Sequence, residues 1–280
     1  MKKLLIFTLF AFAFFVACKQ EKKSAGTEAA EQTLELTTSS YERILRYNVP
    51  MDEDTLTYYC MGTLRLVLPT TIAGEEPTEL RHAMMQTFFC DSVSTTLPEA
   101  IERFLSEPLG MEDGTYTNLT VVDSANTDYM QLSDHSIDIH VKTLTTRWLV
   151  LESEAYEYFA GAAHPMNGSF YLNYDLKQGY MLTLDDIVND RDHLAVLLSR
   201  LYSEQRSDGR PYGYATTLSQ TGGFDIPVTD NFYLTSEGLA FVYQPYEIAS
   251  YAEGVQTIRV SFYELLDAGI LTKQFQEVDF

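Results

Sequence analysis

His164, Glu247 and four tyrosines, Tyr156, Tyr158, Tyr246 and Tyr251, are the side chains whose types and neighbours suit recognition chemistry. Pro165 keeps His164 out of helical geometry. The imidazole is then either a pH-sensitive or hydrogen-bonding group at a site rim, or a buried histidine locking a turn to a backbone carbonyl. Pro245 ends a strand expected over 240–243, and the turn beyond it holds Glu247 among Tyr246, Tyr251 and Gly254. Such a turn either presents aromatic faces outward or plugs the sheet with hydrogen-bonded hydroxyls. Were the chain an enzyme of unrecognised mechanism, His164 and Glu247 would be its acid/base pair.

Established catalytic patterns are missing. The sequence has no nucleophile elbow, no HExxH helix and no Cys/His couple, and its glycine-rich stretches lack the Lys-Ser/Thr of a phosphate loop. No catalytic residue and no cofactor is expected. His135, Asp138 and His140 lie on one expected strand, where only Asp138 and His140 share a face; this reads as a solvated face and not as a metal site. Cys60 and Cys90 carry no metal-ligand spacing. They are either a disulfide pair or two buried free thiols.

The elements that must position these groups follow from periodicity. Residues 41–49 and 56–68 read as paired strands, 77–89 and 97–105 as helices with Met and Phe on the core side. Strands are expected over 117–123, 129–132, 136–144 and 147–159. In the third, Ile137, Ile139 and Val141 alternate with Asp138, His140 and Lys142, as in an antiparallel sheet with one wet face. A hairpin over 170–182 leads into a helix start at 183–186. Residues 192–205 form the clearest helix, followed by a glycine- and proline-rich stretch over 206–230. Strands over 231–234, 240–243 and 257–261 and a helix over 262–268 close the chain. The acidic blocks 152–157 and 185–192 read as solvated faces or helix-start charge. Strands dominate without βαβ alternation, so the expected class is α+β: antiparallel sheet packed with a few helices.

The amino end reads as an address. Met1-Lys2-Lys3 and a short apolar run to Ala17 form an export signal, and Phe15-Val16-Ala17-Cys18 resembles the lipobox of bacterial lipoproteins. The resemblance implies lipidation of Cys18, hence an extracytoplasmic, lipid-anchored protein in the periplasm or on the cell surface. Residues 18–40 read as a tether of about 20 residues with a reach of roughly 25 Å. An N-terminal subdomain over 41–146 and a C-terminal domain over 147–280 are expected to follow. With 40 acidic against 19 basic side chains and a net charge of −21, nucleic acid and anionic lipid are poor partners. Membrane contact is expected through the N-terminal lipid alone.

Three segments carry a further resemblance. They are Tyr158-Phe159-Ala160-Gly161-Ala162-Ala163-His164-Pro165; Asn173-Tyr174-Asp175 with Gly179 and Leu182-Thr183-Leu184-Asp185-Asp186-Ile187; and Asn231-Phe232-Tyr233-Leu234-Thr235 continuing through Tyr243-Gln244-Pro245-Tyr246-Glu247 to Gly254. Together they resemble the extracytoplasmic domain shared by the anti-sigma factor RsiV and the non-catalytic region of the peptidoglycan deacetylase PdaC. The resemblance implies a compact α+β body that binds lysozyme in the first case and accompanies cell-wall chemistry in the second. Neither anti-sigma nor deacetylase activity is expected here. What is expected is an envelope-facing, non-catalytic binding or sensor protein. Its partner would be a basic, lysozyme-like protein steered by charge, or a cell-wall glycan stacked on Tyr156, Tyr158, Tyr246 and Tyr251.

Overall fold

The computed structural model describes residues 34–51, 54–125, 128–205 and 226–276. The export signal, Cys18, the tether up to residue 33 and positions 206–225 lie outside the described residues. Ten strands and six α-helices are described: β1 (Leu34–Met51), β2 (Asp54–Ile72), α1 (Thr78–Phe88), α2 (Leu97–Ser106), β3 (Thr117–Val122), β4 (Leu132–Leu144), β5 (Trp148–Tyr158), β6 (Met166–Asp175), β7 (Tyr180–Leu182), α3 (Leu184–Ile187), α4 (Arg191–Gln205), β8 (Phe232–Leu234), β9 (Gly238–Tyr243), β10 (Gln256–Ser261), α5 (Phe262–Asp267) and α6 (Lys273–Gln276).

The strands form a seven-stranded sheet in the order β3-β1-β2-β4-β5-β6-β7 and a three-stranded sheet in the order β10-β9-β8. Every neighbouring pair is antiparallel except β2 and β4. The chain is a mixed α+β fold dominated by antiparallel sheet, as its alternation implied.

Two cores share β5. Its residues alternate across the sheet, so Leu149 and Leu151 enter a layer with Leu64, Ile139, Leu80 and Met84 under α1 and α2. Trp148 and Val150 enter a second layer with α4 and the small sheet, where Trp148 stacks on Phe275. Burial on both faces explains why 148–153 is buried throughout, and each fully buried leucine contributes about 2 kcal/mol. On β4 the alternation is one-sided: Ile137 and Ile139 are buried, while Asp138 and His140 are half exposed.

Three expectations need correction, and an alternative left open is decided. Residues 34–40, assigned to the tether, are the first stretch of β1, held by pairing with β2 from Arg65 to Ile72. The expected boundary at 146/147 falls in the turn of the β4–β5 hairpin, so one sheet spans both sides of it. Tyr129 to Gln131 make a turn closed by Gln131 N–H to Asp128 O, and the strand begins at Leu132. Cys60 and Cys90 are free. Cys60 is buried, accepts the Leu109 N–H at 3.3 Å and has its thiol pushed up to about 11 by burial, while Cys90 lies exposed beyond α1.

Candidate functional site

The β5–β6 connection and the segment after β9 meet at one surface. His164, in the connection, is exposed, with Nδ1 3.0 Å from the Pro165 carbonyl. Its ring stacks on Tyr251 with centroids 4.0 Å apart. Tyr251 opens a short 3-10 turn, 251–253, in which both the amide and the hydroxyl of Ser250 donate to Glu253. The Tyr251 hydroxyl reaches across and donates to Pro165 O at 2.6 Å, tying the two segments together.

Tyr246 completes a triad, its ring 5.7 Å from that of Tyr251 and its hydroxyl 3.5 Å from His164 Nε2. It is 41% exposed and holds a left-handed backbone at φ 75°. A bulky residue adopts such a conformation only where its surroundings impose it, and such strain gathers at ligand sites. Here the Tyr246 N–H bonds to Ala249 O, and the Glu247 carboxylate accepts the Gln244 N–H at 2.7 Å. Glu247 therefore braces the turn that displays the aromatic ring.

Tyr156 and Tyr158 reach the same region from the end of β5, opposite Ser136 and Asp134. Both are half-buried, and the Tyr158 hydroxyl donates to Ala162 O. Burial raises the Tyr156 hydroxyl pKa, with further upward pushes from Asp134, Tyr158 and Tyr251. Sequence reasoning missed Gln244, whose side-chain amide accepts from Ser169 N–H at 3.0 Å and donates to Ser169 O at 2.6 Å, pinning the Tyr246 turn to β6. The one available signal was its place beside Pro245.

A second polar constellation lies further along the same face of the large sheet. Glu152, read from the sequence as part of a solvated acidic block, is 3% exposed. It accepts the Tyr171 hydroxyl at 2.6 Å and lies 2.9 Å from both Lys142 Nζ and His140 Nε2. Burial pushes its carboxyl pKa up, but hydrogen bonds from Lys142 and Tyr171 and the charges of Lys142 and His140 outweigh it, and the net shift is downward. Lys142 also lies over the rings of Tyr171 and Tyr233. The ligand atoms of His140, Glu152 and Glu154 lie within 4.8 Å of one another, as three metal ligands would. Lys142 already supplies the positive charge there, so the set fits an internal ion-pair joint better than a divalent cation.

Among the described residues no helix is long and apolar enough to cross a membrane. Residues 185–263 match the family model described as protein of unknown function (DUF3298). The fold is similar to the crystal structure of a DUF3298 family member from Bacteroides fragilis NCTC 9343, at 21% identity and a TM-score of 0.59, covering 87% of this chain and 95% of that one. A DUF3298 family protein from Pseudomonas aeruginosa PAO1 is similar at 16% identity and a TM-score of 0.55, covering 88% and 97%. No curated protein matches the chain. The DUF3298 match includes Tyr246, Glu247 and Tyr251 but begins after Tyr156, Tyr158 and His164. The aromatic surface is thus assembled half by the DUF3298 segment and half by the hairpin before it.

Proposed function

We propose that this protein is a non-catalytic binding or sensor protein of the bacterial cell envelope, tethered by lipid at Cys18. Its recognition surface is the His164–Tyr246–Tyr251 triad, and its partner is a basic protein of lysozyme type. The observation that carries this reading is the triad itself: stacked rings, His164 and Tyr246 exposed and Tyr251 half-buried, displayed by a strained turn. Aromatic anchors of this kind dominate protein interfaces, and their ring faces attract the lysines and arginines of a cationic partner. The net charge of −21 would steer such a partner and repel nucleic acid. The resemblance of the His164 and Tyr246 segments to the RsiV and PdaC domains points the same way. Glu247 is engaged by a backbone amide, which favours binding over acid/base chemistry.

The test is surface capture of a lysozyme-type protein by the full chain at about 50 mM and about 300 mM salt. Association should slow sharply at high salt, and Tyr246→Ala should weaken binding about thirtyfold, as expected for a central anchor. No capture at low salt, or capture indifferent to Tyr246→Ala, removes this reading. A glycan is the second reading, because Tyr156 and Tyr158 extend the aromatic surface along β5. Soluble muropeptides that raise the melting temperature in wild type but not in Tyr251→Ala would favour it.

A further inference from the structure

A cavity of about 580 Å³ lies between α1–α2 and the large sheet, within the ~300–1,000 Å³ range of small-molecule sites. Its origin is legible in the β5–β6 register. Leu151 and Leu172 pair on the face covered by the helices and fill that layer; four residues along the same face, Ala155 pairs with Gly168, where the Phe170 ring and the Gln244 side chain cover the glycine and the small Ala155 side chain leaves room. Phe104, Phe89 and Phe170 wall the space that results.

His135 lines the cavity from β4 and is 6% exposed. Its ring stacks on Phe104 with centroids 4.2 Å apart, and Nε2 lies over Gly62, where a β-carbon would come within 2.8 Å of it. Among the described residues no hydrogen bond or ion pair reaches either ring nitrogen. Among the described residues the one fully buried side-chain polar atom without a partner is Ser153 Oγ, so the unpartnered nitrogens of His135 keep some accessibility and can take a hydrogen bond from a molecule in the cavity. Burial holds its pKa down at about 4, so it is a neutral donor-acceptor at neutral pH.

The charged groups at the rim are otherwise occupied. Arg103 pairs with Glu107 at 2.9 Å, and the Asp91 carboxylate accepts from the Val93 and Ser94 amides and the Ser94 hydroxyl. Neither is free to neutralise a charged ligand, and Glu157 at the rim is exposed. We infer that the cavity is a binding site for a small, uncharged aromatic molecule with one hydrogen-bonding group, its ring among Phe89, Phe104 and Phe170 and its polar group on His135. The site is separate from the His164 triad and takes a different class of ligand.

The test uses the full chain with 4-phenylphenol and, as the analogue without a hydroxyl, biphenyl. Binding is read by calorimetry and by slowed alkylation of Cys90, an exposed thiol at the cavity. Wild type should bind the phenol and protect Cys90. His135→Leu, which keeps the volume and removes the hydrogen bond, should weaken the phenol about fivefold and leave biphenyl unchanged. Ala155→Leu should abolish binding of both by filling the space; if that variant does not fold, the Cys90 footprint in wild type and His135→Leu decides. No phenol binding by wild type, no Cys90 protection, or equal phenol affinity in His135→Leu would overturn the assignment.

Discussion

His135 and His140 lie five residues apart on β4 and meet opposite fates. The sequence placed them on opposite faces, and from that alternation alone His140 belongs to the polar side, where it meets Glu152. It could not show that His135 would be nearly dry, because the covering ring, Phe104, arrives from α2. That burial has a thermodynamic signature. Burial holds the folded imidazole's pKa down at about 4, against 6.5 for an ordinary histidine, so between these pH values the unfolded chain binds a proton that the folded chain refuses. Stability is complete above pH 6.5 and falls as the pH drops through this window, by up to about 3 kcal/mol. Urea unfolding at pH 7, 5.5 and 4.5 should show this slope in wild type and its loss in His135→Leu; equal slopes would mean the imidazole is solvated. Glu152 shows the same limit of legibility. Its neighbours in sequence are acidic and exposed, yet Tyr171, supplied by the β5–β6 register, draws its carboxylate inside.

At the level of elements, the periodic segments were readable and the polar ones were not. Alternation gave β4, and the spacing of Leu194, Leu197, Leu198, Leu201 and Tyr202 gave the inner side of α4, where all but the half-buried Leu201 are buried. The first seven residues of β1 are mostly Glu, Thr and Ser, whose composition resembles a linker; they are strand because β2 extends far enough to pair with them. The small sheet shows how tightly such pairing is set. A β-carbon on Gly238 would overlap the carbonyl oxygen of Val260 on β10, whereas one on Gly254 meets nothing within 4 Å. Gly254 instead holds φ 68° and ψ −162°, a region open essentially to glycine. Gly238→Ala should therefore cost more than about 3 kcal/mol by displacing backbone, and Gly254→Ala about 1–3 kcal/mol by strain. Denaturation midpoints order the two; an equal or reversed order would show that β9 and β10 give way easily.

Across the whole molecule, the chain's halves are joined by hydrogen bonds as well as by sequence. The expectation of a subdomain ending at residue 146 followed the extent of the family resemblance, which runs from Arg147 onward, but Thr145 and Arg147 belong to the turn of one hairpin, with the Thr145 hydroxyl accepting the Arg147 and Trp148 amides. β4 and β5 pair along nearly their full length, and β5 supplies side chains to both cores. The aromatic surface has the same composite character, since His164 comes from the β5–β6 connection of the large sheet and Tyr251 from the β9–β10 connection of the small one. Loss of either core therefore strips one face of β5, and the two should unfold together. The sole tryptophan, Trp148, reports the core of the small sheet through its stacking on Phe275, while far-ultraviolet circular dichroism is weighted toward the long strands. The two signals should give coincident thermal transitions, and fragments 34–146 and 147–276 expressed separately should each lack cooperative unfolding. Separate transitions, or a cooperative fragment, would instead divide the sheet at the β4–β5 turn.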